Sequence, residues 1–140
     1  MTASFVLDAS LTLAWCFEDE RTPASKEVLH RMSNESAVVP SLWHFEVANG
    51  LVIGERRGRI TRQGASEFLA LLSGFDIEVD EHGASRAFSY VFSAAHTNVL
   101  SVYDAAYYDV AVRRQLPLAS CDGALRSAVV AAGLPVLGAK

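Results

Sequence analysis

At 140 residues with 51% hydrophobic content, the chain has the size of one ordinary domain and enough apolar side chains for a continuous core. Sixteen acidic residues against twelve basic ones give a formal charge of −4, which on its own argues against a polyanionic partner. The longest uncharged apolar runs, 91–95 and 128–137, are far shorter than the roughly 20 residues of a membrane-spanning helix, and the opening MTASFVLDAS has no basic start, so no secretory signal is read and a cytoplasmic location is expected.

In chain order, residues 3–8 read as a buried strand and 10–17 as a short helix that ends in the acidic loop EDERTP. Pro23 suits a helix start, with Val28, Leu29 and Met32 as its apolar face. AVVP is a second strand, halted by Pro40. Ser41 is expected to cap a long helix through SLWHFEVANGLVIGERRG that stops at Gly58, and Thr61 to cap TRQGASEFLALLSG. FDIEV alternates as a third strand, and a helix follows near 84–97. Ser101 opens SVYDAAYYDVAVRRQ; then come the strand PLAS, a helix in CDGALRSAVVAAG that ends at Gly133, and a last strand, PVLG. Short, nearly continuous apolar strands separated by helices, with no tight hairpin, predict one α/β domain over 1–140: three α/β/α layers around a parallel sheet.

The two cysteines, Cys16 and Cys121, form no CxxC and are expected to be reduced core residues. The four histidines show no paired metal-ligand spacing. Carboxylates are more informative. Asp8 ends the first strand, Glu46 lies one to two turns into the helix after the second, Asp104 sits in the first turn of the helix opened by Ser101, and Asp122 directly follows PLAS. In an open parallel sheet the carboxyl ends of the strands share one edge, where ligands bind. Chain order therefore places Asp8, Glu46 and Asp122 on that edge, with Asp104 as a fourth. Each has a plainer alternative: Asp104 and Asp122 suit helix capping, Glu46 a solvated helix position, and Asp8 a turn.

Taken together the plainer readings strain. The stripe of Glu46, with Leu42, Asn49, Gly50 and Ile53, is mostly apolar or small and is expected to face inward. No lysine or arginine is near any of the four in sequence, and a hard divalent ion such as Mg²⁺ satisfies clustered carboxylates. Without those four, acidic and basic residues balance at twelve each. Such a site could activate water for phosphoryl displacement. Asp109 is turned about 140° from Asp104 on the same helix and is expected to be solvated.

FVLDASLTLAWCFEDE, VVPSLWHFEVANGL, LSVYDAAYYDVAVRRQLPLASCDGAL and the terminal AAGLPVL together resemble the successive motifs of PIN-domain ribonucleases, in particular VapC-like toxins of type II toxin-antitoxin pairs. The resemblance implies a PIN-like fold and a Mg²⁺-dependent endoribonuclease, with Mn²⁺ as the other candidate ion. It places Asp8, Glu46, Asp104 and Asp122 on the family's metal-holding, catalytic positions. Asp8, Asp104 and Asp122 are assigned to the metal, and Glu46 to orientation, proton transfer or a second metal. Ser10, Asn49 and Ser120 fall on supporting positions, Ser120 standing where the family usually has threonine.

The basic run ERRGR offers Arg56, Arg57 and Arg59 as RNA contacts, although a basic helix C-terminus is also favoured by the helix dipole. Arg113 and Arg114 have the same two readings, and Tyr103, Tyr107 and Tyr108 are expected to be packing residues. The implied partners are RNA, a VapB-like antitoxin and a second copy of the chain; a mean hydropathy of +0.21 also suits a homodimer. The alternatives are a non-toxin PIN-type nuclease and a catalytically inert PIN-like binding domain. A phosphatase with a DxD pair is disfavoured, because Ser10 stands where the second aspartate would be.

Overall fold

The computed structural model describes residues 2–139. Five parallel strands, β1 (Ala3–Leu7), β2 (Ser36–Pro40), β3 (Ile77–Asp80), β4 (Leu118–Ala119) and β5 (Val136–Leu137), lie in the order β3-β2-β1-β4-β5. The helices are α1 (Ala9–Cys16), α2 (Pro23–Arg31), α3 (Leu42–Arg56), α4 (Arg62–Ser73), α5 (Gly83–Arg86), α6 (Phe92–Asn98), α7 (Val102–Arg114) and α8 (Gly123–Ala131). A 3-10 turn at Glu18–Glu20 occupies the acidic loop. This is the expected three-layer α/β/α arrangement. Phe5, Val6 and Leu7 have no exposed surface, and all five residues of β2 are buried, as a sheet covered on both faces requires.

The helix signals hold unevenly. Thr22 and Ser25 form a reciprocal capping box around Pro23, and Thr61 and Ser101 accept the expected backbone N–H bonds at α4 and α7. Ser41 does not cap α3: its backbone is already helical and its side chain makes no capping bond. Gly58 ends that segment as expected, at φ +70°, a conformation with no penalty for glycine. The helix expected near 84–97 is helical but not uniform, since a π turn at Ala87–Val91 lies between α5 and α6.

Strand order fixes where a site can form. From β1 the chain moves outward through β2 and β3, then returns to the other side of β1 as β4. The carboxyl ends of β1 and β4 therefore flank the point where strand order reverses, the position at which open α/β sheets bind ligands. Register brings the two ends level: Leu7 pairs with Ala119, and the Asp8 N–H donates to the Ala119 carbonyl at 2.9 Å. α1 packs closely on α3, where a methyl group at Gly50 would collide with the Leu13 side chain.

Asp109 corrects an expectation. It is buried rather than solvated, and accepts a two-bond ion pair from Arg86 at 2.7 and 2.9 Å. One turn further along α7, Arg113 makes two bonds to Asp80, both 2.9 Å, while Arg114 reaches Asp80 and Glu78. These arginines hold α7 against the end of β3. The Asp80 side chain has no exposed surface. Burial alone would raise its pKa, but the bonds from Arg113 and the His82 N–H, and the two guanidinium charges, outweigh burial and hold it at about 2.

A carboxyl group depressed in the fold stabilises above its unfolded pKa and loses that contribution as pH falls through the folded value. Asp80 should therefore contribute about 2 kcal/mol at neutral pH, lost progressively between roughly pH 5 and pH 2. Asp80→Asn should cost about 3 kcal/mol at pH 7, the low end for breaking a buried pair because both arginines keep some solvent contact. Its deficit relative to wild type should shrink toward pH 2. Urea melts of both proteins across this range check the sign and the size.

Candidate functional site

Asp8 is the residue that leaves β1 and precedes α1. It occupies the N-cap position, yet its side chain makes no capping bond. Both nearby hydroxyls converge on its Oδ2 instead: Ser10 donates at 2.6 Å and Ser120 at 2.7 Å. Each serine oxygen in turn accepts a backbone N–H from the turn after β4, Ser10 from Cys121 and Ser120 from Asp122, both at 3.0 Å. The β1–α1 and β4–α8 turns are thus joined through one carboxylate oxygen. Oδ1 has no hydroxyl donor.

Asp122 does cap α8, its Oδ2 accepting the Leu125 N–H at 2.8 Å. The capping reading is therefore correct for one of its oxygens, and capping fixes the carboxylate beside Asp8. Asp104, half-buried in the first turn of α7, has its backbone N–H on Ser101 Oγ at 3.1 Å. Glu46 comes from α3. Its neighbours correct the expected inward stripe: the buried face of α3 is Trp43, Val47, Leu51 and Gly54, so Glu46 lies on the flank, half-buried. Its Oε1 accepts the Tyr107 hydroxyl at 2.6 Å.

The pKa values of Asp8, Glu46 and Asp104 all move in one direction. Burial raises the pKa of Asp8; the two serine bonds pull it back without cancelling the effect, and Asp122 adds repulsion. Burial likewise raises Glu46, and the charges of Asp8 and Asp104 add to it. Asp104 is raised by burial, then by Asp122 and Asp8. Among the described residues, none of the four takes part in an ion pair. These acidic side chains repel one another on a shared edge, and among the described residues no lysine or arginine is paired with them.

The residues also fall short of a closed cage: among the described residues, no three His, Cys, Asp or Glu side chains are gathered tightly enough to hold one ion between them. The donor chemistry nonetheless fits a hard cation, since every group offered is oxygen. Mg²⁺ in particular binds through one or two carboxylates while keeping much of its water. An open set of carboxylates on one edge suits that mode better than a dehydrated, all-protein enclosure.

The remaining expected residues separate. Asn49 is exposed on α3 and makes no side-chain hydrogen bond among the described residues. Arg56 and Arg57 are exposed at the end of α3, whereas Arg59 is committed to Asp19 and Glu20 at 2.8 and 2.9 Å, and stacks over Phe17. Arg113 and Arg114 are taken up by Asp80 and Glu78. Cys121 is exposed rather than in the core, and Cys16 only partly buried. Tyr103 is 65% exposed, so it is not a packing residue.

Two contributors went unread in the sequence. Tyr107 is fully buried and polar at its tip; its spacing of three from Asp104, which puts both on neighbouring helix positions, was the available signal. Arg126 donates from Nη1 to the carbonyls of Ser120 and Leu137 at 2.8 and 2.9 Å, tying the ends of β4 and β5. No local pattern announces that role.

The family model of the PIN domain matches residues 5–130. A search of curated proteins returned no match. Among solved structures, the chain is similar to PAE2754 from Pyrobaculum aerophilum, with 26% identity and a TM-score of 0.70 over 97% of this chain and 92% of that one.

Asp8 yields a stability prediction with a definite sign. An acid whose pKa is raised in the fold destabilises it as pH rises from the unfolded value through the folded one. In chelator at pH 7, Asp8→Asn should therefore melt higher than the wild type. Adding Mg²⁺ should stabilise the wild type more than the variant and narrow the gap. Thermal melts in EDTA and in Mg²⁺ check it; an Asn variant less stable than wild type in EDTA would contradict the reading of Asp8 as a repelled charge.

Proposed function

Because this chain belongs to the PIN-domain family, whose members are generally metal-dependent nucleases, we propose that it is an endoribonuclease acting in the cytoplasm as the toxin of a VapBC-type pair. The observation that carries the reading is the uncompensated carboxylate set at the β1/β4 switch point, built around an Asp8 that two hydroxyls hold by one oxygen. The VapC-like character rests on the four sequence motifs, and the choice of RNA on the same resemblance.

In this reading Asp8, Asp104 and Asp122 are the carboxylates that would hold Mg²⁺ or Mn²⁺, one or two of them directly and the rest through water the ion retains, with Glu46 beside them. The ion, when bound, lowers the pKa of water and offsets charge on the phosphodiester. The chain's own residues do the rest. Ser10 and Ser120 fix the orientation of Asp8. Asp122 is held by its own capping bond, so its position is set by the start of α8. Glu46 has a raised pKa and keeps one oxygen free of Tyr107, which suits it to orient water or take a proton. Arg56 and Arg57, exposed and without ion pairs among the described residues, are the basic-run residues left to contact phosphate; Arg59 is the weaker candidate of the three.

The partners follow from the same reading: an RNA substrate, a VapB-like antitoxin that restrains cleavage, and a second copy of the chain. Exposed apolar side chains support the homodimer, Phe88 above all at 98% exposure, with Val99 and Phe92 beyond it. No helix of the described residues is long and apolar enough to cross a membrane.

Purified protein should cleave RNA in Mg²⁺ and stop in EDTA. Asp8→Asn and Asp104→Asn should each lose roughly 100-fold or more in rate, because each weakens the hold on the ion that would offset transition-state charge. Metal-independent cleavage, or variants at the wild-type rate, would remove the assignment. An inert binding module predicts RNA binding with no metal-dependent product. For the toxin role, expressing the chain with and without its genomic neighbour should give growth arrest only without it; equal growth in both, with active protein present, would leave a non-toxin nuclease.

A further inference from the structure

Among the described residues, the hydroxyl of Tyr107 is the one side-chain donor that reaches Glu46, and it does so from inside the core. Tyr107 has no exposed surface, and its Oη also accepts the Ala9 N–H, at 3.4 Å, from the first residue of α1. One hydroxyl therefore touches a carboxylate from α3 and the backbone next to Asp8, while its ring sits in the helix that carries Asp104 one turn earlier. Three elements that each bring a carboxylate to the edge meet at this atom.

The need for such a contact is electrostatic. Glu46 is half-buried on the flank of α3, with a flexible side chain and like charges on Asp8 and Asp104 beside it. Repulsion favours a rotamer that swings the carboxylate out to solvent, where its charge is screened and hydrated. A short hydrogen bond to a carboxylate opposes that rotation, and such charge-assisted bonds are the stronger kind. Toward Glu46 the phenol is the donor, while its oxygen accepts the Ala9 N–H; burial and the neighbouring carboxylates push its ionisation far above the ordinary tyrosine range.

We propose that Tyr107 is a positioning residue for Glu46, holding that carboxylate on the shared edge beside Asp8 and Asp104 against their mutual repulsion. The role rests on the reading of these carboxylates as the metal-holding centre. Its substance is that Tyr107 acts through Glu46 and not through the fold at large. The hydroxyl is removed by Tyr107→Phe while the buried ring stays, and the target of the hydroxyl is removed by Glu46→Ala.

The test is a double-mutant cycle on the full chain, with two readouts: Mn²⁺ affinity by calorimetry and RNA cleavage rate. Tyr107→Phe should weaken Mn²⁺ binding and slow cleavage by roughly ten-fold, the scale of one hydrogen bond to a charged group. In the Glu46→Ala background the same change should have little further effect on either. Equal losses in both backgrounds, or no loss in Tyr107→Phe alone, would overturn the proposal. So would a Tyr107→Phe protein that is unfolded at the assay temperature, because the hydroxyl would then serve the fold itself. Asp8→Asn run alongside separates the two levels of the argument: wild-type Mn²⁺ binding and cleavage there would bring down the carboxylate centre and the role of Tyr107 with it. A large Asp8→Asn loss together with additive Tyr107→Phe effects would bring down only the latter.

Discussion

A charge buried at the end of the central strand organises this molecule. Asp8 is 4% exposed, and its burial disfavours the ionised form. An isolated buried carboxylate costs several kcal/mol even after relaxation. The protein does not answer with a lysine or arginine. It answers with two serine hydroxyls on one oxygen, each fixed by a backbone N–H from the turn after β4. Much of the local architecture follows from that choice, because the β1–α1 and β4–α8 turns must stay in contact for either serine to reach. A cation there would have neutralised the edge. Hydroxyls satisfy the carboxylate while leaving its negative field intact, as an edge that attracts a divalent ion requires.

The contrast with the other end of α7 makes the point sharper. Asp80 is as buried as Asp8, yet it is held by two arginines and its pKa falls where that of Asp8 rises. One chain thus carries two buried aspartates at strand ends with opposite solutions. The first serves stability, anchoring α7 to β3 by charge pairing. The second keeps its charge unpaired at the switch point between β1 and β4. Direction of the pKa change, together with the chemistry of the partners, separates the carboxylate paired with arginines from the one left without a cation, which burial alone does not.

The sheet and the carboxylate positions were legible because they depend on short-range patterns. Continuous apolar runs mark β1 and β2, and each of Asp8 and Asp122 sits at a strand end that chain order puts on one edge. What stayed hidden depends on contacts between distant segments. Asp109 looked solvated by helix geometry alone, but Arg86, 23 residues earlier, covers it. Arg113 and Arg114 suit either phosphate contact or a basic helix C-terminus by sequence, and neither reading anticipates the end of β3 that lies against them. Ser41 had the right residue type for a cap, but the chain leaving Pro40 was already in helical conformation, and a cap needs an extended backbone there. Glu46 was placed on the correct helix but on the wrong face, because the burial of α3 is set by Trp43 and Leu51.

Tyr107 shows why such misreadings concentrate where function is expected. An amphipathic pattern assigns a buried tyrosine to packing, and its ring does pack, with no exposed surface. The pattern is blind to the hydroxyl at its tip, which finds a partner on α3, 61 residues away. A buried phenol normally finds a hydrogen-bond partner; here that partner is a carboxylate that like charges press toward solvent. The fold itself could have been served by phenylalanine, which fills nearly the same volume without a polar group to satisfy. The hydroxyl that phenylalanine would lack accepts the Ala9 N–H and donates to Glu46, a carboxylate whose charge interacts with those of Asp8 and Asp104. The polar tip of a core residue thus links the packing of α7 to the arrangement of the site.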